Sequence, residues 1–115
     1  MRKNNYIALA KKASSVQINE LKKIKRVFNH SFVKAVDLIL NCKGKIIFAG
    51  VGKSGLIAKK ISATFSSVGI PSFFCDPAQA LHGDMGQIEK KDILIIFSYS
   101  GNTSELNNML KYANR

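Results

Sequence analysis

Across residues 16–41 apolar side chains recur every three or four positions, at Ile18, Leu21, Ile24, Phe28, Phe32, Ala35, Val36 and Ile39, with lysines and polar residues between them. That period lines up one face of an α-helix, so the stretch predicts a long amphipathic helix, kinked near Asn29-His30. Cys42-Lys43-Gly44 ends the pattern, and Gly44 is expected to supply the C-terminal cap. The pattern then changes. Residues 45–49 form a short apolar run followed by a glycine-rich turn, and a helix is predicted over 54–68, closed by Gly69. Residues 70–75 predict a second strand with Pro71 near its start, and 76–91 a loop. A third strand is predicted over 92–97, whose unbroken Ile and Leu suit a strand covered on both faces. A polar turn and a helix beginning near Thr103 complete the chain. Strand, turn and helix in this order predict a parallel sheet with covering helices: a helical segment over 1–43, then an α/β region over 44–115. Ligands of such sheets bind beyond the carboxyl ends of the strands.

Length and composition narrow the class. With 115 residues, 46% of them hydrophobic and 22% charged, the chain suits one packed domain. No apolar run approaches the ~20 residues of a membrane span. Arg2 and Lys3 come early, but the apolar stretch 7–10 is too short for a signal-peptide core and Lys11-Lys12 follows at once, so a cytoplasmic protein without a membrane partner is expected. The net charge of +11 raises the question of an anionic partner. Much of it lies in Lys11, Lys12, Lys22, Lys23, Lys25 and Arg26, with no aromatic residues interleaved to stack bases, so a solvated helix face is expected and no nucleic-acid partner. Cys42 and Cys75 form no CxxC pair and lie in apolar surroundings, as reduced structural thiols do. With two His in the chain, zinc-site spacing is absent.

Two turns carry the chemistry. The first, Gly50-Val51-Gly52-Lys53-Ser54-Gly55, matches GxGxxG, and Asp76 after the next strand stands where a ribose-binding acid would, so a dinucleotide module is one reading. A tight turn with a surface Lys53 is another. Gly52-Lys53-Ser54 also resembles the end of a Walker A loop, but the earlier Gly of that motif would fall at Ile47, which excludes a P-loop. The second turn, Ser98-Tyr99-Ser100-Gly101-Asn102-Thr103, sets three hydroxyls around a helix N-terminus. Hydroxyls and free backbone N–H groups suit a phosphate. A helix cap needs one such residue, so three favour a ligand, and a second cradle favours a small phosphorylated one over a dinucleotide.

The second turn resembles the S-x-S-G-x-[ST] phosphate loop of the sugar isomerase (SIS) domain. Gly44-Lys45, the first turn, Thr64-Phe65, Gly69, Pro71-Ser72-Phe73-Phe74 and His82-Gly83-Asp84-Met85-Gly86 are similar, in order and spacing, to the arabinose-5-phosphate isomerase branch of that superfamily. The resemblance covers 42–106 and implies a three-layer α/β/α sandwich with a flavodoxin-like sheet. It implies a substrate- and phosphate-binding set of Gly52, Ser54, Ser98, Tyr99 (through its backbone), Ser100, Thr103, Gly69 and Ile70. It also implies active-site roles for Lys53, Glu105 and His82. The implied reaction interconverts arabinose 5-phosphate and ribulose 5-phosphate through an enediol, feeding the Kdo sugar of lipopolysaccharide, in a homo-tetramer without a cofactor. Such chemistry needs a base between C1 and C2, which Glu105 suits, and a cation for the charge developing on oxygen, which Lys53 suits. Asp76 replaces a histidine that binds zinc in many members, so no metal is expected, Asp76 being at most a weak ligand. Gln79 and Tyr99 also depart from the family's commoner acidic residue and Asn. The family's domain runs on beyond the equivalent of Arg115, so the chain is expected to be incomplete, to leave its third strand without a neighbour, and to be inactive alone. A non-catalytic sugar-phosphate sensor of SIS type is the alternative.

Overall fold

The structure is a computed structural model that describes residues 4–114. Contacts divide the chain into two units, one up to Asp37 and the other from Leu38 onward. In the first unit, helix α1 (Asn4–Lys23) runs into a 3₁₀ turn (Ile24–Val27) and then into α2 (His30–Leu40), which crosses the boundary. The kink expected near Asn29-His30 is a complete break. Phe28 leaves helical geometry (φ −81°, ψ 76°), and the Asn29 carboxamide oxygen accepts from the N–H groups of Ser31 (2.9 Å) and Phe32 (3.3 Å), starting a new helix.

The second unit is a three-stranded parallel sheet in the order β2-β1-β3, with β1 (Ile46–Gly50), β2 (Ser72–Phe74) and β3 (Ile93–Phe97). Helix α3 (Lys53–Ser67) joins β1 to β2, the single turn α4 (Pro77–Ala80) follows β2, and α5 (Ser104–Ala113) follows β3. Residues 76–91, expected as loop, thus hold α4 and a 3₁₀ turn (Asp84–Gln87). Asp76 caps α4 by accepting from the Ala78 N–H at 2.9 Å, with Pro77 at the first helical position.

Alternation along β1 builds the layers. Ile46 and Phe48 pack with Ala58 of α3, and with Ile39, Phe65, Phe74 and Phe97 around them; Ile47 and Ala49 pack on the other face with Ala80, Leu106 and Met109 of α4 and α5. The sheet therefore has helices on both faces, a three-layer α/β/α arrangement. Every residue of β1 is buried, whereas β3 is half-buried along its length. Its faces are covered by apolar contacts as expected, but among the described residues only one of its edges is paired. Burying Phe48, Ile46 and Ile47 contributes roughly 1.5–3 kcal/mol each. Phe48 also meets Phe65 edge-on at 5.1 Å and stacks on Phe97 at 6.1 Å.

The expected cap role of Gly44 is corrected. Gly44 lies four residues past the end of α2 and has no positive φ. A Cβ there would run into the Asp92 carboxylate and meet the Lys91 carbonyl at 2.7 Å, so close approach of another segment requires the glycine. Gly69 does close α3, at φ +86°. Both cysteines are free thiols, Cys42 half-buried and Cys75 buried. Burial, with Asp84 and Asp76 nearby, pushes the Cys75 thiol up, which keeps it protonated and inert.

Candidate functional site

Register decides where the two informative turns go. β1 and β3 are parallel neighbours, and Gly50 pairs with Phe97, so both strands end at the same level. Val51 and Ser98 leave the sheet side by side, and the N-termini of α3 and α5 follow within a few residues. Neither helix start is capped by a side chain. α3 begins after Gly52 (φ 61°, ψ −130°), a conformation that L side chains avoid, and α5 begins after Thr103, whose hydroxyl makes no capping bond. Two sets of unsatisfied N–H groups therefore converge on one place, the arrangement that attracts an anion. Gly50 and Gly55 let the turn close this tightly: a Cβ on Gly55 would lie 2.6 Å from the Gly50 carbonyl oxygen.

Between the turns lies a cavity of about 210 Å³ lined by Val51, Ser54, Phe97, Ser98, Tyr99, Ser100, Thr103 and Leu106. All four expected hydroxyl residues face one space. Within the loop, Ser98 Oγ accepts from the Gly101 N–H (2.8 Å) and Ser100 Oγ from the Asn102 N–H (3.2 Å), while Gly101 turns the chain at φ +71°. The Tyr99 side chain is fully exposed.

A second cavity, about 160 Å³, shares Val51 with the first and lies on the β2 side. Its lining includes Gly50, Gly52, Gly55, Lys59, Phe74, Asp76 and Glu105. Glu105 sits in the first turn of α5, where the helix dipole favours a carboxylate, and one of its oxygens takes a bond from the Ser104 hydroxyl at 3.3 Å.

The other expected site residues fall elsewhere. Lys53 is exposed at the first position of α3 and lines neither cavity. His82 is exposed after α4 and also lines neither. Gly69 and Ile70 sit at the opposite end of the sheet. α3 runs back along the strands, so the segment after it meets the start of β1, where the Ile46 N–H donates to the Pro71 carbonyl at 2.9 Å. That is about 13 Å from the turns, four rises of ~3.3 Å. Lys59 is the charged cavity-lining residue that reading the sequence missed. Its ammonium lies 5.0 Å from the centre of the Phe74 ring, a cation–π contact supplied by β2. Among the described residues no three His, Cys, Asp or Glu come together as a metal site, and no helix is long and apolar enough to cross a membrane.

A parallel sheet with helices on both faces and an uncapped, hydroxyl-lined cleft at its carboxyl end defines an α/β domain whose open end is suited to an anion. The chain belongs to the SIS domain family, whose profile matches residues 39–115. Among its relatives, an Escherichia coli K12 protein named Arabinose 5-phosphate isomerase GutQ is 46% identical over 91 residues, 79% of this chain and 28% of its own. A Haemophilus influenzae protein named "Probable arabinose 5-phosphate isomerase" is 43% identical over 109 residues, 95% of this chain and 32% of its own. A Listeria monocytogenes crystal structure matches with a TM-score of 0.92 at 35% identity, covering 99% of this chain and 60% of that one. An E. coli CFT073 protein in complex with arabinose 5-phosphate matches at TM-score 0.83 and 39% identity, covering 99% of this chain and 61% of that one. The chain thus spans about a third of the length of the curated relatives it matches.

Proposed function

We propose that this chain binds the phosphate of a pentose phosphate between its two turns and serves the interconversion of arabinose 5-phosphate and ribulose 5-phosphate. The observation that carries this reading is the convergence of Ser54, Ser98, Ser100 and Thr103 with two uncapped helix starts on one cavity. The names of the relatives and the arabinose 5-phosphate complex of the E. coli CFT073 neighbour support it. In the reaction, a carboxylate takes the C2 proton of the open-chain aldose. The electron pair forms the C1–C2 double bond while the C1 carbonyl pair moves to O1, which takes up a proton to give the enediol. Return of the first proton to C1, with loss of the O2 proton as the C2 carbonyl forms, leaves the ketose and balances the proton gained at O1. Glu105 is the base in this proposal, because it alone of the three expected active-site residues lines a cavity beside the phosphate cradle. Lys53, next to Gly52 in sequence, is assigned to the charge that develops on oxygen, and His82 keeps the active-site role that the resemblance implies. The homo-oligomer, the cytoplasmic location and the supply of Kdo for lipopolysaccharide belong to the same proposal.

Binding without turnover is the second reading. It is favoured by the fact that Lys53, His82 and Glu105 are not gathered around one cavity. Thermal unfolding with arabinose 5-phosphate, inorganic phosphate and NAD as additives tests the shared core of both. A ligand at a hundred times its Kd adds about 2.7 kcal/mol of stability, so the sugar phosphate should raise the midpoint clearly while NAD leaves it unmoved. Stabilisation by NAD alone would overturn the proposal in favour of a dinucleotide module.

A further inference from the structure

We propose that the cavity on the β2 side of Val51 is a polyol subsite in which Lys59 and Asp76 read the hydroxyls of the sugar chain, making them specificity-determining residues for the ligand anchored next door. The inference rests on the reading above and adds the orientation of the ligand and the residues that select it.

Charge sorts the two cavities. The cavity between the turns contains no carboxylate, only hydroxyls and backbone N–H groups. Its neighbour contains two carboxylates, Asp76 and Glu105, against one cation, Lys59. A dianionic phosphate beside two carboxylates would meet like charge, so the phosphate belongs in the first cavity and the uncharged part of the ligand in the second. The second cavity is built to meet hydroxyl groups. Asp76 spends one oxygen, Oδ1, on the Ala78 N–H, and Glu105 spends Oε2 on the Ser104 hydroxyl, so each keeps an oxygen with no partner among the described residues. Lys59 makes no ion pair among the described residues, and the Phe74 ring beneath it leaves its three N–H donors unspent. A sugar hydroxyl donates one hydrogen bond and accepts others, so it matches a lining that alternates free acceptors with a free donor. The floor is backbone: Gly50, Gly52 and Gly55 offer no side chain, and a Cβ on Gly50 would come within 2.9 Å of the Ser54 backbone. At about 160 Å³ the space is several times the ~30 Å³ of one liquid water, room for a short carbon chain. Val51 lines both cavities, so a chain anchored by its phosphate in one reaches directly into the other.

Calorimetric titration of the full chain with two probes, inorganic phosphate and arabinose 5-phosphate, tests this in Lys59→Met, Asp76→Asn and Ser100→Ala. Asn keeps the helix-capping oxygen of residue 76, and both 59 and 76 are exposed, so unfolding midpoints should stay put. Lys59→Met and Asp76→Asn should each weaken arabinose 5-phosphate about tenfold and inorganic phosphate less than about twofold. Ser100→Ala should weaken both probes together. If Lys59→Met and Asp76→Asn leave arabinose 5-phosphate untouched, or weaken both probes equally, while Ser100→Ala behaves as expected, the polyol subsite is overturned and the phosphate cradle stands. A wild-type chain that binds neither probe overturns both readings.

Discussion

The two ends of the sheet are built on opposite rules. Where β1 and β3 begin, the charged groups of Lys45, Glu89 and Asp92 are paired with one another. The Asp92 side chain is wholly buried; its Oδ1 accepts from the Lys45 N–H at 2.7 Å and its Oδ2 from the Glu89 N–H at 2.8 Å. The Lys45 ammonium lies 3.2 Å from Asp92 and 3.3 Å from Glu89. This knot ties the start of β1 to the start of β3, and Gly44 is glycine to make room for it. Where the strands end, polar groups are left over: two helix starts without caps, Lys53 and Lys59 without counterions among the described residues, and carboxylates with oxygens to spare. Unspent hydrogen-bonding capacity at a scaffold's open end is what a ligand uses, and satisfied capacity at the other end holds the scaffold rigid enough to present it. Residues of one end should therefore change stability and spare binding, and residues of the other should do the reverse.

The largest effect is expected at Glu105. Glu105→Gln should cut interconversion of arabinose 5-phosphate and ribulose 5-phosphate by about 10²–10⁴-fold in a form of the protein that turns over, with ligand affinity and melting temperature retained. A parallel loss of affinity would make it an orienting group instead. At the other end, Asp92→Ala strands two backbone donors and should cost about 1–3 kcal/mol in denaturant unfolding, while inorganic phosphate binds as before. Acid sharpens the same point. Burial alone would push the Asp92 carboxyl up, but the Lys45 and Glu89 N–H donors and the Lys45 ammonium outweigh it and hold it below the ordinary aspartate value of 3.8. With the folded value depressed, its contribution is complete above pH 3.8 and is lost as the pH falls through the lower folded value. Wild type and Asp92→Ala should therefore converge in stability in that acid range; a constant gap would show that the carboxylate's charge is not what stabilises. The smallest effect is expected at Tyr99. Its side chain is fully exposed, so Tyr99→Ala should alter neither stability nor phosphate affinity by more than about 0.5 kcal/mol, although it stands in the middle of the loop.

The same division explains what the sequence disclosed. Contiguous features were legible: the apolar runs of β1 and β3, the closing glycine at Gly69, and the hydroxyls of 98–103, which reach one cavity because they lie in one turn. Features made by distant pairing were not. Gly44 looked like a helix cap because Asp92, 48 positions away, was out of view. Lys59 gave no signal beyond its place in a helix, since Phe74 of another element holds it at the cavity. Gly69 and Ile70 lie at the far end because a helix following a parallel strand must carry the chain back before the next strand starts. Asp76-Pro77 did carry a local signal for α4, an N-cap followed by proline at the first helical position, within a stretch expected as loop.

Backbone amide NMR shifts followed during titration with inorganic phosphate test the central claim most directly, because they report which end of the sheet the anion enters. The account predicts the largest changes at Gly52–Gly55 and Ser98–Glu105, with Lys45, Gly69, Ile70, Glu89 and Asp92 unmoved. Changes concentrated at the Lys45–Asp92 end, or spread over the lysines of α1 with none in the two turns, would contradict it.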